Sequence, residues 1–277
     1  MKQNKRGIIL VGVILAMMLS ALDQTIVATA MPQIVDQFNA LSHLSWVFTA
    51  YMLTSTITVP IYGKLSDIFG RRGLYILGIV VFLAGSMLSG LSRDMTQLIF
   101  FRGLQGIGGG AMMVNAFAVV GDLFSPAERG KWQGVMGGIF GLATILGPLL
   151  GGWITDSFSW RWIFYINVPV GILAIAVLAS AMPKIPKHER ERSIDYPGAV
   201  LIAAGLVPLL LAFVWAGVND LGYGYEGEMR PNSLLHTNGR FPVPVVLDVF
   251  FGCLALSLAG AVLALVFRAL DERRKDR

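Results

Sequence analysis

The chain has 277 residues, of which 55% are hydrophobic and only 14% are charged, and its mean hydropathy is +0.66. A soluble domain carries about 25% charged residues and a disordered chain combines high charge with low apolarity, so both classes are excluded. The formal net charge of +5 fits basic cytoplasmic loops and does not call for a nucleic-acid partner.

Uncharged runs supply eight segments near the roughly 20 apolar residues that a bilayer core requires. In chain order they are 7–30, 44–64, 73–92, 95–121, 131–154, 161–182, 196–218 and 244–268. Barrel strands would be ~10-residue alternating segments, so these runs are helices. The expected fold is an all-α polytopic membrane protein. The first run follows Lys2, Lys5 and Arg6 and ends near Ala28-Thr29-Ala30, which resembles a secretory signal with its cleavage site. Asp23 interrupts the run and no soluble domain follows, so the segment reads as the first membrane helix.

Eight spans put both ends of the chain on one side. That side then holds 17 of the 22 Lys and Arg residues, the opposite side holds Arg93, Arg161, Arg230 and Arg240, and Arg102 falls within a span. The asymmetry places both termini in the cytoplasm. The single cysteine, Cys253, excludes an intrachain disulfide. His43, His188 and His236 are scattered over different loops, so no metal-ligand spacing is present. No nucleophile–base set supports an enzyme, and no cofactor is implied.

Two ionisable residues, Asp23 and Arg102, sit clearly within spans. Such groups cost at least ~2.5 kcal/mol at the bilayer centre, face a bundle interior or a water-filled cavity, and mark ion or proton pathways. Asp23 is expected near the outer end of the first helix as a proton carrier. Arg102 can pair with a carboxylate or with backbone carbonyls. The plain alternative for both is snorkelling or capping of a neighbouring helix.

Glycines are patterned along the fourth and fifth spans. Gly106, Gly108 and Ala111 formally satisfy a dinucleotide-binding pattern, but they lie mid-span without the strand that such a site requires. Gly106 and Gly110 instead share one helix face and admit a close neighbour. Gly134/Gly138, Gly137/Gly141 and Gly147/Gly151 are further small-xxx-small pairs, and Pro148 is expected to break the ladder there. Between the second and third spans, Gly63 and Gly70 allow a tight turn. Asp67 can there accept charge-assisted hydrogen bonds from Arg71 or Arg72.

Taken together, these residues resemble the major facilitator superfamily. Gly63, Asp67, Gly70, Arg71 and Arg72 resemble its loop signature between helices 2 and 3. Arg102, Gln105, Gly106 and Gly108 resemble its helix-4 motif, and Gly141, Gly147, Pro148, Gly151 and Gly152 its helix-5 antiporter motif. Leu22-Asp23-Gln24-Thr25 through Pro32, Trp160 through Gly171, and Asp195-Tyr196-Pro197-Gly198 are similar to the fourteen-helix drug:proton antiporter branch.

The resemblance implies an all-α amino-terminal six-helix bundle over 1–183, built from inverted repeats, and a cytoplasmic loop over 184–195. Two linker-type helices would follow over 196–268, around an extracytoplasmic loop at 219–243, and then a charged tail over 269–277. It implies multi-pass residence in the cell membrane and proton-driven export of amphipathic or cationic compounds. Asp23 and Arg102 would couple protons, the Asp67–Arg71 loop would gate the cytoplasmic side, and helix 5 would line a moving interface. Such transporters carry six more helices, so the chain reads as truncated before the carboxyl-terminal half. A separate half or self-association would complete it, with lipid, protons and the small substrate as the other partners. A non-transporting scaffold or regulator of a full transporter, and a facilitator of one specific solute, are the rival readings.

Overall fold

The structure is a computed structural model, and it describes residues 3–183. The readings placed on 184–277 lie outside the described residues: the seventh and eighth helices, loop 219–243, the tail, Cys253, His188, His236 and Asp195–Gly198. The described residues form seven helices and one 3-10 turn at Leu41–His43. The helices are α1 (Gln3–Phe38), α2 (Leu44–Phe69), α3 (Arg71–Leu91), α4 (Met95–Leu123), α5 (Pro126–Ser157), α6 (Trp162–Tyr165) and α7 (Asn167–Ala181). Six helical spans are long and apolar enough to cross a membrane, α6 and α7 together making the sixth over Trp162–Ala181.

Several helices, α1, α2 and α5 above all, outrun the apolar segments that the sequence marks. At about 1.5 Å per residue, the 36 residues of α1 reach far beyond a ~30 Å hydrocarbon core. Asp23 therefore lies in the middle of α1 and not near its outer end. Polar residues cap the starts of α4 and α5. Asp94 accepts a bond from the Gln97 N–H at 2.8 Å at the start of α4. At the start of α5, the Ser125 N–H and hydroxyl both donate to Glu128 and Pro126 occupies the first turn.

Two sequence expectations change at the turns. Gly70 alone links α2 to α3, with φ at 93°, a value that costs a residue with a Cβ and suits glycine. Gly63 is inside α2 and takes no part in the turn. Pro148 does not interrupt α5, which stays helical from Pro126 to Ser157. The irregularity falls in the sixth span, at Ile166 between α6 and α7. Pro169 withholds the N–H that would otherwise close on the Tyr165 carbonyl.

α4 is the central helix, packed against α2 on one side and α3 on the other. A Cβ at Gly106 or Gly110 would collide with the α2 backbone at Tyr51 and Ser55, and one at Gly85 would lie 2.5 Å from the Gln105 nitrogen. The small residues therefore set the helix spacing, as lipid-embedded packing requires. The apolar core is split in two. One cluster joins Ile9–Leu19 of α1 to Tyr75–Leu83, Met112–Val120 and Ala174–Met182. The other joins Ile26–Ile34 to Val47, Met95, Leu98 and Ile154–Phe164. Between them, on α1, α3, α4 and α7, lies a layer of buried polar side chains.

Candidate functional site

That layer is built around Asp23, which is 1% exposed beside a fully buried Arg102 and Gln105. Arg102 Nη1 donates to Asp23 Oδ2 at 2.5 Å and to Gln105 Oε1 at 2.8 Å. Gln105 Nε2 donates to Asp23 Oδ1 at 2.8 Å, and Asn167 Nδ2 donates to the same oxygen at 2.9 Å. Asn167 Nδ2 also donates to Ser86 Oγ at 2.9 Å, and the Ser86 hydroxyl donates to the Phe164 carbonyl at 2.8 Å. Three side-chain N–H donors thus converge on one carboxylate.

The arrangement follows from local sequence. Arg102 and Gln105 are three apart on α4, so both reach one face. Asn167 opens α7 directly after the irregularity at Ile166, which turns its amide toward α1 and α3. The guanidinium carbon of Arg102 lies 4.5 Å from the Tyr51 ring centroid, a cation–π contact strengthened by desolvation. The Tyr51 hydroxyl is 3.0 Å from Ser20 Oγ. Arg102 Nε is buried without a hydrogen-bond partner among the described residues. Burying an ion pair costs several kcal/mol per ion before the partners compensate, and here the compensation comes from four different helices.

A second cluster lies at the α2–α3 turn. Arg71 Nε is 2.5 Å from Asp122 Oδ2 at the end of α4, and Arg71 Nη2 is 3.3 Å from Asp67 Oδ1. Arg72 does not join Asp67. It donates to the Ala179 carbonyl of α7 at 2.5 Å, where the helix C-terminus favours a cation. The two arginines therefore tie three helix ends together, and Asp67 stays 62% exposed.

The glycines of α5 divide into two faces. Gly147 and Gly151 press on Thr25 and Thr29 of α1, and the Thr25 hydroxyl donates to the Ala143 carbonyl at 3.0 Å. Gly134, Gly137, Gly138, Gly141 and Gly152 would meet no described atom within 4 Å of an added Cβ. Leu142, Ile145, Leu149 and Trp153 are exposed on the same helix.

The structure brings Asp23, Arg102 and Gln105 into one constellation and keeps the Asp67–Arg71–Arg72 turn and the α5 glycines apart from it. Ser86, Tyr51 and Asp122 were missed by sequence reasoning. A serine and a tyrosine in an apolar span look like ordinary packing residues. Asn167 lies inside the segment Trp160–Gly171 that the sequence singles out, but nothing there gave it a role.

With this geometry in view, a profile of the Major Facilitator Superfamily matches residues 13–271. The multidrug transporter protein MdtP of Bacillus subtilis is 50% identical over 216 residues, which cover 78% of this chain and 40% of that protein. Multidrug resistance protein 3 of the same organism is 44% identical over 216 residues, 78% of this chain and 42% of that protein. This chain therefore spans about two fifths of the length of these relatives. Among solved structures, the human organic anion transporter MFSD10 (TETRAN) superposes with a TM-score of 0.61 at 19% identity, covering 79% of this chain and 62% of that one. That likeness concerns the fold alone.

Proposed function

The chain belongs to the major facilitator superfamily, a family of multi-pass membrane transporters, and on that footing we propose that it serves proton-coupled export of small amphipathic or cationic compounds. Asp23 carries the proton, and Arg102 governs its release. The observation that carries the reading is the Asp23–Arg102 contact of 2.5 Å, sealed between two apolar clusters. An ion pair at that depth is costly, and a carboxylate that must cycle between charged and neutral forms gives it a reason to exist. The drug-transporter names of the bacterial relatives support the substrate class.

Alternating access needs two halves about a midplane site. The described bundle supplies one, and a carboxyl-terminal half or a second copy supplies the other. The relatives' greater length and the open glycine face of α5 support this. Both termini are cytoplasmic in the cell membrane, the Asp67–Arg71 turn gates that side, and the α5 face with Gly141 and Gly152 meets the opposing half.

The test uses everted vesicles in which the assembly moves a fluorescent amphipathic cation against its gradient. Asp23→Asn keeps shape but cannot titrate. It should remove proton-driven transport while the amount of chain in the membrane is unchanged. Undiminished uphill transport in that variant would return Asp23 to a packing role. Reconstituting the 277-residue chain alone distinguishes the two completions. Gradient-driven accumulation means that a second copy acts as the other half, whereas accumulation only after a separate half is added means that it does not.

A further inference from the structure

The wiring of the polar layer assigns different tasks to its two amides. The Asp23 carboxylate receives Arg102, Gln105 and Asn167 as donors. Once protonated it becomes a donor at one oxygen and must find an acceptor. Arginine has donors only, so Arg102 cannot serve. Gln105 could offer its carbonyl oxygen only by turning its amide over. Its nitrogen would then face Arg102 Nη1, which now donates to Gln105 Oε1 at 2.8 Å. Two donors would oppose each other, and Arg102 has no acceptor to exchange.

Asn167 is under no such constraint. Its second contact is the Ser86 hydroxyl, which can donate as well as accept. We propose that Asn167 is the residue that follows the proton: when Asp23 is protonated at Oδ1, the Asn167 side-chain amide turns over and accepts from it, and the Ser86 hydroxyl leaves the Phe164 carbonyl to donate to Asn167 Oδ1. The proton comes to rest on the carboxyl, no covalent bond other than O–H changes, and three hydrogen bonds, from Asn167 Nδ2 to Asp23 and Ser86 and from Ser86 to Phe164, are replaced by two to Asn167 Oδ1. That carbonyl lies next to the irregularity at Ile166. Protonation in the middle of α1 therefore shifts the Ser86 anchor of α3 along the sixth span, from Phe164 to Asn167. This rests on the reading of Asp23 as the proton carrier, and it adds Asn167 and Ser86 as positioning residues.

The charged and titratable groups facing Asp23 are few. α4 presents Arg102 and α2 presents Tyr51, whose ring lies against the Arg102 guanidinium. α3 and α7 present the uncharged Ser86 and Asn167. On the α5 side, Thr25 of α1 meets Ala143 and Gly147, which are also uncharged.

Ser86 does not touch Asp23 in this wiring, which makes it the informative position. In Ser86→Ala the hydroxyl's bonds to Phe164 and Asn167 are absent in both protonation states, so the amide turns with no net loss of hydrogen bonds. Protonation is then favoured by one hydrogen bond, about fivefold in proton affinity. The purified 277-residue chain in lipid nanodiscs, labelled with carbon-13 aspartate and nitrogen-15 asparagine, reports both events by NMR. Asp23 and Asn167 are assigned by the signals lost in Asp23→Asn and Asn167→Gln. The expected result is that the Asn167 side-chain resonance moves with the Asp23 titration midpoint, and that Ser86→Ala raises the proton affinity about fivefold. Ser86→Cys, which keeps a weak donor, should fall between it and the native chain and serves if the alanine variant folds poorly. An Asn167 signal that stays fixed while Asp23 titrates, or a midpoint unmoved in both Ser86 variants, overturns the switch and leaves the proton-carrier reading intact. An Asp23 carboxyl that stays ionised over the whole range in which the chain is folded overturns both.

Discussion

Arg71 is held more tightly by Asp122, 2.5 Å away on another helix, than by Asp67, 3.3 Å away and four residues earlier in the chain. The turn signature thus has its stronger electrostatic partner outside the signature. Asp122 comes from the last turn of α4, the helix that also carries Arg102. The turn and the buried polar layer consequently share one helix, α4.

Asp122→Asn should loosen the α2–α3 turn. The pair is partly exposed, at 22% and 37%, so the loss should be modest, about 1 kcal/mol or less, and smaller in high salt. Thermal unfolding of the purified chain at low and high ionic strength measures it. A salt-independent loss would mean that Asp122 acts through its hydrogen bonding and not its charge.

Removing one member of the buried pair should be far more costly. Arg102→Met leaves an uncompensated carboxylate and should destabilise the bundle by about 3–5 kcal/mol. Adding Asp23→Asn should recover a large part of that loss, because no buried charge is then left alone. A double-mutant cycle by denaturation in mixed micelles gives the coupling, and additive effects would argue that the two residues are independent.

The two faces of α5 should respond differently to a single methyl group. Gly147→Ala and Gly151→Ala drive a Cβ into Thr25 and Thr29, and each should cost about 1–3 kcal/mol. Gly137→Ala and Gly152→Ala meet no described atom and should leave the isolated chain's melting temperature unchanged. If the open face meets an opposing half, these two variants should instead lower transport by the complete assembly.

The proposed orientation, with cytoplasmic termini, predicts a labelling pattern. In a Cys253→Ala background, cysteine at Asn39, between α1 and the 3-10 turn, should react with an impermeant maleimide added outside intact cells. Cysteine at Lys187, which lies outside the described residues, should react only after permeabilisation. Labelling of position 187 from outside would invert the assigned orientation.

Hydropathy alone located all six described spans, because a long uncharged run has few other physical meanings. The start of α4 coincides with its apolar window, but the start of α5 escaped it, since Ser125 and Glu128 cap that helix ahead of its apolar run. Asp23 and Arg102 stood out singly, because charge is conspicuous in an apolar run. Their pairing did not, because 79 residues separate them and only the packing of α1 on α4 brings them together. Ser86 and Tyr51 carry no mark at all in such a sequence, as their importance lies wholly in what they touch. The continuity of α5 through Pro148 was also hidden, since the sequence does not reveal how a helix interior relaxes around a missing donor.

The polar layer also has a consequence for how the protein is made. Ribosomes deliver helices in order, and Asp23 leaves the ribosome 79 residues before Arg102 and 144 before Asn167. At about 5–20 residues per second, the carboxyl waits on the order of 4–16 s for its cation and longer for its amide. During that interval α1 must reside in, or beside, the membrane with its acid unmatched. Neutralisation by a proton is one way to endure the wait, so the proton chemistry proposed for Asp23 would be exercised first at the birth of the chain. Nascent chains stalled before and after α4 has emerged would differ in how readily α1 is extracted from the membrane at alkaline pH.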